Sequence, residues 1–214
     1  MSAPVAIVLA GGRSSRMGQD KALINLGSET LIQRTCRLAL ACADSVYVVT
    51  PWPERYQPLL PAATHLIQEV PLPGQAETFQ GPLVALAQAL TTLETTIPNS
   101  SQVWALTLAC DLPNLSVPVL QTWAVGLPSV APHIVACLPH HQGRWEPLYG
   151  FYRLGCGLSL EQYSRRGGRS LQGWLATQPV TPLPLADGQS LINLNTPADL
   201  AHWQASQGES TVDP

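Results

Sequence analysis

The chain alternates short, continuously apolar runs with longer stretches in which apolar residues recur every three or four positions. Val5–Leu9 is apolar throughout and stops at Gly11-Gly12, which is the pattern of a strand buried on both faces. Thr30 and Gln33 have the spacing of a capping box, so a helix is predicted from Leu31 to about Ala43. The same rules predict further strands over 45–49, 65–67, 104–108, 134–138, 148–152 and 191–193, and further helices over 82–93, 116–125, 171–176 and from Thr196.

Strands that alternate with helices in this way indicate right-handed βαβ units. The sequence therefore predicts an α/β fold of three αβα layers, Rossmann-like, around a mostly parallel sheet. No internal repeat or linker divides the chain, so a single domain is predicted over residues 1–206. The polar segment 207–214 is predicted to be a disordered tail.

Composition narrows the classes of protein that this chain can belong to. Hydrophobic residues make up 45% of it and charged residues only 12%, which excludes a disordered chain. The net charge of −3 excludes a general nucleic-acid binder, since such a protein needs a basic excess. The five cysteines show no C-x-x-C spacing and are expected to be reduced. No segment is long and apolar enough for a signal peptide or a membrane span, so a cytoplasmic protein is expected.

Three of the 11 cations lie close together in the loop Leu9–Lys21, which follows the first strand. It contains Arg13, Arg16 and Lys21, and Lys21 is the only lysine in the chain. Its glycines allow successive backbone N–H groups to form a concave anion site. The loop fits neither a Walker A motif nor a dinucleotide fingerprint, because the required glycine spacing is absent. It therefore predicts a compact pocket for a polyphosphate.

Two further polar loops are expected at the same edge of the sheet, where ligands of open α/β folds bind. Asp111 follows the strand over 104–108, and Asn193 and Asn195 flank Leu194 before the last helix. A carboxylate supplemented by amide oxygens suits Mg²⁺, whereas no Cys/His group suggests a transition metal. The run 196–199 has the residues of a helix start, with Thr196 at the N-cap.

The first loop, L-A-G-G-R-S-S-R-M-G-Q-D-K, resembles the signature loop of nucleotidyltransferases with the nucleotide-diphospho-sugar transferase fold. Its Gly-Gly and terminal Asp-Lys are most similar to those of the molybdenum cofactor guanylyltransferases. Four further motifs occur in the same order as in that family, at Gly81–Leu83, Cys110–Pro113, Glu146–Gly150 and Asn193–Pro197.

The resemblance implies a Mg²⁺-dependent reaction in which GMP is transferred from GTP to the terminal phosphate of molybdopterin that carries molybdenum. The products are the guanine dinucleotide form of the cofactor and pyrophosphate. GTP and Mo-molybdopterin are thus the expected small-molecule partners. Other molybdenum-cofactor biosynthesis proteins and apo-molybdoenzymes are the expected protein partners.

The resemblance also implies roles for individual residues of this chain. The expected catalytic residues are Lys21, Arg16 and Asp111, of which Asp111 is also the expected metal ligand. The expected GTP-binding residues are Leu9, Ala10, Gly11, Gly12, Arg13, Lys21, Glu69 and Asp111. The candidates for the second substrate are Arg169, Asn193 and Asn195. Three positions depart from the family pattern, where Glu69 replaces Asp, Ala85 replaces Gly and Thr50 replaces the Asn of some members.

Two alternatives remain at this point. One is a related nucleotidyltransferase that uses CTP on molybdopterin, or another nucleotide on a sugar phosphate. Gly11-Gly12 favours the guanylyl enzyme, since those relatives tend to read L-A-A-G there. The other alternative is a non-catalytic nucleotide-binding module, which has no need for the metal ligand Asp111.

Overall fold

The computed structural model describes residues 3–12, 17–71, 81–185 and 189–209. Within these ranges the chain forms eight strands and seven α-helices. In chain order they are β1 (Val5–Leu9), α1 (Leu31–Leu40), β2 (Val46–Thr50), α2 (Pro53–Tyr56), β3 (Thr64–Gln68), α3 (Pro82–Thr96), β4 (Trp104–Ala109), α4 (Val117–Gly126), β5 (Ala136–His141), β6 (Arg144–Trp145), β7 (Tyr149–Arg153), α5 (Gly157–Arg165), α6 (Leu171–Leu175), β8 (Val180–Leu183) and α7 (Pro197–Glu209).

The strands form one eight-stranded sheet in the order β3-β2-β1-β4-β7-β5-β6, with β8 paired to β5. β1, β2, β3 and β4 run parallel to one another, whereas β7 is antiparallel to both β4 and β5. From β1 the chain first proceeds outward to β2 and β3, and then returns to place β4 on the other side of β1. The strand order therefore reverses between β1 and β4, and ligands bind at the carboxyl ends of strands at such a point.

Helices cover both faces of the sheet, which confirms the predicted three layers. Ala6 and Val8 of β1 face the cluster that contains Ile32 of α1, and the intervening Ile7 faces the cluster that contains Leu86 of α3. Successive side chains of a strand point to opposite faces, so a strand covered on both sides must be apolar throughout. This explains the continuous apolar run of β1.

The predicted start of α1 is confirmed in detail. The Thr30 hydroxyl accepts a hydrogen bond from the Gln33 backbone N–H at 3.4 Å, and the Gln33 side chain accepts one from the Thr30 N–H at 2.9 Å. α3 begins with Pro82 directly after Gly81, whose φ of +86° lies in the left-handed region. Proline supplies helical φ at the first position, and glycine makes the preceding turn without strain.

One predicted element needs correction, and some observed elements were not predicted. The strand predicted over 191–193 is wrong, since residues 189–191 form a 3₁₀ turn. The apolar residues there, Leu191 and Leu194, are buried against core clusters and have no strand partner. Four elements were not predicted, namely α2, β6, α5 and β8. α5 begins on a glycine and β8 contains Pro182, and these residues disfavour a helix and a strand respectively. α7 extends to Glu209.

None of the helices in the described ranges has the length and apolar character needed to cross a membrane.

Candidate active site

Three of the predicted site residues meet at the carboxyl ends of β1 and β4. The Lys21 Nζ donates a hydrogen bond to the Asn195 Oδ1 at 2.7 Å, and it lies 3.4 Å from the Asp111 Oδ2. These residues are up to 174 positions apart in the sequence. The result is an ammonium group held between a carboxylate and an amide oxygen at the point where the strand order reverses.

A small apolar cluster brings the first loop and the C-terminal loop together. Met17, Ile24, Leu31 and Leu194 are buried against one another, and side chains of α7 pack on them. The Leu194 N–H also donates to the Asp111 carbonyl oxygen at 2.9 Å. Since Leu194 directly precedes Asn195, this packing carries the Asn195 side chain to Lys21.

Lys21 opens a single 3₁₀ turn, Lys21–Leu23. Asp20 is the N-cap of this turn, and its Oδ1 accepts from the Ala22 N–H at 3.1 Å. Ala22 is buried in the core cluster that also contains Ile32 of α1, and this packing anchors the turn. The Lys21 side chain therefore projects from a short, anchored turn rather than from a long loop.

The Asp111 carboxylate is largely enclosed, with 24% of its side chain exposed. Burial raises the pKa of Asp111, whereas the Lys21 ammonium lowers it. The positive charge thus opposes the cost of burying the ionised carboxylate. The pair presents both signs of charge in a partly dehydrated place, where electrostatic interactions are stronger than in bulk water.

Asn195 is held by the start of α7. The Asp199 Oδ2 accepts from the Asn195 N–H at 2.9 Å and from the Thr196 N–H at 2.8 Å. The Thr196 hydroxyl in turn accepts from the Asp199 N–H at 3.2 Å, which confirms the predicted helix start. Hydrogen bonds from the two backbone N–H groups lower the pKa of Asp199. Its carboxylate therefore stays ionised and keeps the Asn195 backbone in place.

Among the described residues, those expected to bind the nucleotide lie along the same edge of the sheet. Leu9 and Ala10 end β1 in buried positions, and the Ala10 N–H is already used, since it donates to the Val49 carbonyl at 2.9 Å. Glu69 follows β3 and is 3% exposed, and its N–H donates to the carbonyl of the buried Thr50 at 2.9 Å. Gly11 and Gly12 follow β1, and of the two Gly11 is buried and Gly12 is exposed. Nucleotide contacts by these residues stay a prediction.

Two of the candidates in the described part of the chain, Asn193 and Arg169, do not join the Lys21 cluster. Asn193 is exposed, and its side-chain amide donates to the Leu191 carbonyl at 3.3 Å. Arg169 is exposed in the turn before α6, and it makes no hydrogen bond or ion pair with any other residue that the structure describes. Arg13 and Arg16 lie outside the described residues. Only Asn195 of the three second-substrate candidates is therefore brought to Lys21 and Asp111.

Glu146 is a carboxylate beside the site; it begins one of the family motifs but was given no site role from the sequence. β4 and β7 are antiparallel with Leu108 opposite Tyr149, so the segment after β4 that holds Asp111 and the segment before β7 that holds Glu146 lie at the same edge of the sheet. Burial raises the pKa of Glu146, and the negative charge of Asp111 adds to the rise, while His141 and Arg144 lower it. The antiparallel return of β7 was the signal that could have identified this residue.

The polar atoms at this edge fit a hard divalent cation. Asp111 and Glu146 supply carboxylate oxygens and Asn195 an amide oxygen. The described residues contain no group of three or more His, Cys, Asp or Glu placed to hold a metal ion by themselves. Mg²⁺ suits such a sparse oxygen site, because it keeps several waters and takes further oxygens from substrate phosphates.

Comparison with known proteins gives consistent matches along nearly the whole chain. A family profile described as "MobA-like NTP transferase domain" matches residues 6–180. A protein of Nostoc sp. named "Probable molybdenum cofactor guanylyltransferase" is 46% identical over 209 residues, which cover 98% of this chain and 94% of the relative. One of the same name from Synechococcus elongatus is 44% identical over 202 residues, covering 94% and 97% of the two chains.

A solved structure from Archaeoglobus fulgidus, "Molybdopterin-guanine dinucleotide biosynthesis protein A", has the same fold. The two structures match with a TM-score of 0.73 at 20% identity, over 96% of this chain and 99% of the other.

Proposed function

We propose a molybdenum cofactor guanylyltransferase activity for this chain, which belongs to the family of MobA-like NTP transferases. The family, the fold and the nucleotidyltransferase class expected from the first loop are thereby confirmed. In the proposed reaction, a terminal phosphate oxygen of Mo-molybdopterin attacks the α-phosphorus of GTP. A new phosphorus–oxygen bond forms, the bond from the α-phosphorus to the bridging oxygen breaks, and pyrophosphate leaves with the electron pair.

The observation that carries this proposal is the placement of Lys21 between Asp111 and Asn195 at the strand reversal. The attacking phosphate oxygen is already ionised near neutral pH, so the reaction needs no strong general base. Its difficulty is to bring two polyanions together and to stabilise charge on the reacting phosphates. Positioning and electrostatic stabilisation supply most of the acceleration in phosphoryl transfer.

In the proposed mechanism Lys21 donates hydrogen bonds to the phosphates of GTP. Asn195 and Asp111 hold the ammonium in place before the substrate binds, because Asn195 accepts a hydrogen bond from it and Asp111 forms an ion pair with it. Asp111 and Asn195 are also the residues that we expect to hold Mg²⁺. When bound, Mg²⁺ would neutralise phosphate charge at the site of transfer.

In this proposal the two substrates bind on opposite sides of the strand reversal between β1 and β4. Glu69 follows β3, on the side of β1 from which we expect the nucleotide to be bound. Glu146 lies on the other side, beyond β4, next to Asp111. We therefore expect Mo-molybdopterin to approach from the β7 side. The exposed Arg169 stays a candidate for binding the phosphate of Mo-molybdopterin, and Arg16 stays a candidate for binding the phosphates of GTP.

The same proposal places the reaction in the cytoplasm. Its expected protein partners there are other molybdenum-cofactor biosynthesis proteins and the apo-molybdoenzymes that take up the product. These partners follow from the resemblance to the family.

The test is to incubate the purified chain with Mo-molybdopterin, Mg²⁺ and each nucleoside triphosphate in turn. Pyrophosphate release and the mass of the dinucleotide product are measured together. The proposal expects turnover with GTP and loss of turnover when Mg²⁺ is chelated. Turnover with CTP alone would identify a cytidylyltransferase instead. Binding of nucleotide without any turnover would identify a non-catalytic nucleotide-binding module.

A further inference from the structure

The turn that carries Lys21 is tied to a buried tyrosine of another element. The Tyr56 hydroxyl, on α2, donates to the Asp20 Oδ2 at 2.7 Å, and the Arg55 Nη1 donates to the same oxygen at 2.9 Å. The second oxygen of Asp20 accepts from the Ala22 N–H. Asp20 directly precedes Lys21, and it thus links the turn to α2.

The turn has few hydrogen bonds of its own. The Leu23 N–H donates to the Asp20 carbonyl at 3.1 Å and the Ile24 N–H to the Lys21 carbonyl at 3.0 Å. Isolated 3₁₀ turns are short and their hydrogen-bond geometry is poorer than that of an α-helix. The orientation of the Lys21 side chain therefore depends on contacts from outside the turn.

Tyr56 is the rigid member of this link. It is 1% exposed and packed in the core cluster that also covers one face of β1. Burial and the hydrogen bond to Asp20 both raise its pKa, so the hydroxyl stays a protonated donor. Arg55 is the more exposed member, since 43% of its side chain is accessible, and it lies over the Trp52 ring at 4.6 Å.

We propose that Tyr56 and Asp20 are positioning residues that hold Lys21 within reach of Asp111 and Asn195. The connection runs from the Tyr56 hydroxyl through the Asp20 carboxylate to the turn, and from the turn through the Lys21 side chain to the two acceptors. Lys21 has four rotatable side-chain bonds, so a shift of its backbone changes where the ammonium lies. Misplacement of a reacting or stabilising group by about 1 Å costs on the order of 10²-fold in rate.

The chain offers a matched control for removal of the Tyr56 hydroxyl. Tyr149 is 2% exposed and belongs to the same core cluster, but its hydroxyl has no hydrogen-bond partner among the described residues. Tyr56→Phe removes a hydroxyl that holds Asp20, whereas Tyr149→Phe removes one that holds nothing in the described part of the chain. Both substitutions leave the ring in place.

The first measurement is a double-mutant cycle on kcat/KM for guanylyl transfer, and in this respect the inference rests on the proposed function. We expect Tyr56→Phe to lower kcat/KM by about 10-fold and Tyr149→Phe by less than about 2-fold. In a Lys21→Met background, Tyr56→Phe should have almost no further effect, because the group that it positions is gone. An equal loss in both backgrounds would show that Tyr56 acts on general stability, and the proposal would be wrong.

The second measurement is amide hydrogen exchange of Ala22 and Leu23, which needs no turnover. Tyr56→Phe and Asp20→Asn should both accelerate this exchange, while Tyr149→Phe leaves it unchanged. Unchanged exchange in Tyr56→Phe would refute the link to the turn even if the enzyme is active. A wild-type chain that transfers no GMP would refute the proposed function alone, since the exchange experiment still tests the link.

Discussion

Substitution of Lys21 by methionine is the most direct test of the electrostatics at this site. Methionine keeps an unbranched, flexible side chain of similar length and removes the ammonium. The change leaves Asp111 without its ion-pair partner and Asn195 without the donor at 2.7 Å. The effect therefore reports the loss of one positive charge rather than the loss of packing.

The magnitude follows from the distances and the burial. The ammonium lies 3.4 Å from a carboxylate oxygen, and 20% of the Lys21 side chain is exposed. A phosphate charge bound at a similar distance, about 4 Å, would interact with the ammonium by about 4 kcal/mol at an effective dielectric constant of about 20. Desolvation and binding of the ground-state phosphates offset part of this, which leaves about 3 kcal/mol, the scale for one transition-state contact. At about 1.4 kcal/mol per factor of ten, kcat/KM should fall by about 10²-fold.

The assay is pyrophosphate release in a single turnover, with GTP and Mg²⁺ in excess. Lys21→Arg is the charge-retaining comparison and should recover part of the loss, because the guanidinium is larger than the site of an ammonium. Arg37→Met is the control for lost positive charge. It removes a cation whose side chain is 53% exposed on α1, and kcat/KM should stay within about 2-fold of the wild type.

A loss of less than about 3-fold in Lys21→Met, with an unchanged melting temperature, would exclude Lys21 from transition-state stabilisation. A loss of the same size in Arg37→Met would show that the assay reports net charge instead of the local contact.

Three further predictions concern the acidic residues. Asp111→Asn should abolish Mg²⁺-dependent turnover and raise the melting temperature near pH 7, because burial raises the pKa of Asp111 and disfavours its charged form in the fold. The gain should vanish below its ordinary pKa of 3.8. Glu29→Gln should lower the free energy of unfolding by about 0.5 kcal/mol near pH 7, after solvent screening of the pair with Arg37. The Arg37 hydrogen bond lowers the pKa of Glu29, so this loss should disappear as pH falls below 4.5. Asp199→Asn should lower kcat/KM by about 10-fold through displacement of Asn195, as measured by pyrophosphate release.

Each of these outcomes can fail separately. Unchanged Mg²⁺ titration in Asp111→Asn would place the metal elsewhere. A stability loss in Glu29→Gln that persists at low pH would show that packing, and not charge, is responsible. Native kinetics in Asp199→Asn would mean that Asn195 is held by Leu194 alone.

Local signals in the sequence predicted the elements whose determinants lie within a few residues. The capping box of Thr30 and Gln33 and the Thr196 helix start were read correctly, because such caps join residues three positions apart. The strand predicted over 191–193 is wrong, because the contacts that bury this segment are not local. Its apolar residues are buried by contacts with distant parts of the chain, which a local pattern does not distinguish from strand pairing.

The candidate site was predicted as a set of residue types, and the structure selected among them. Lys21 and Asp111 were expected to act together and lie 3.4 Å apart. Asn193 and Asn195 had equal standing in the sequence, yet only Asn195 reaches Lys21, while Asn193 bonds to its own loop. The side on which each asparagine lies depends on how Leu194 packs, and that packing involves the first loop.

The sequence by itself determined the class of fold and the family, and it predicted polyphosphate binding by the loop that holds the only lysine of a charge-poor chain. These follow from short-range patterns and from a contiguous motif. Only the tertiary structure decided that Tyr56 anchors Asp20 and that Glu146 and Asp111 lie at the same edge of the sheet. Both depend on strand order and register, which bring together residues tens of positions apart, and no local periodicity encodes such pairs.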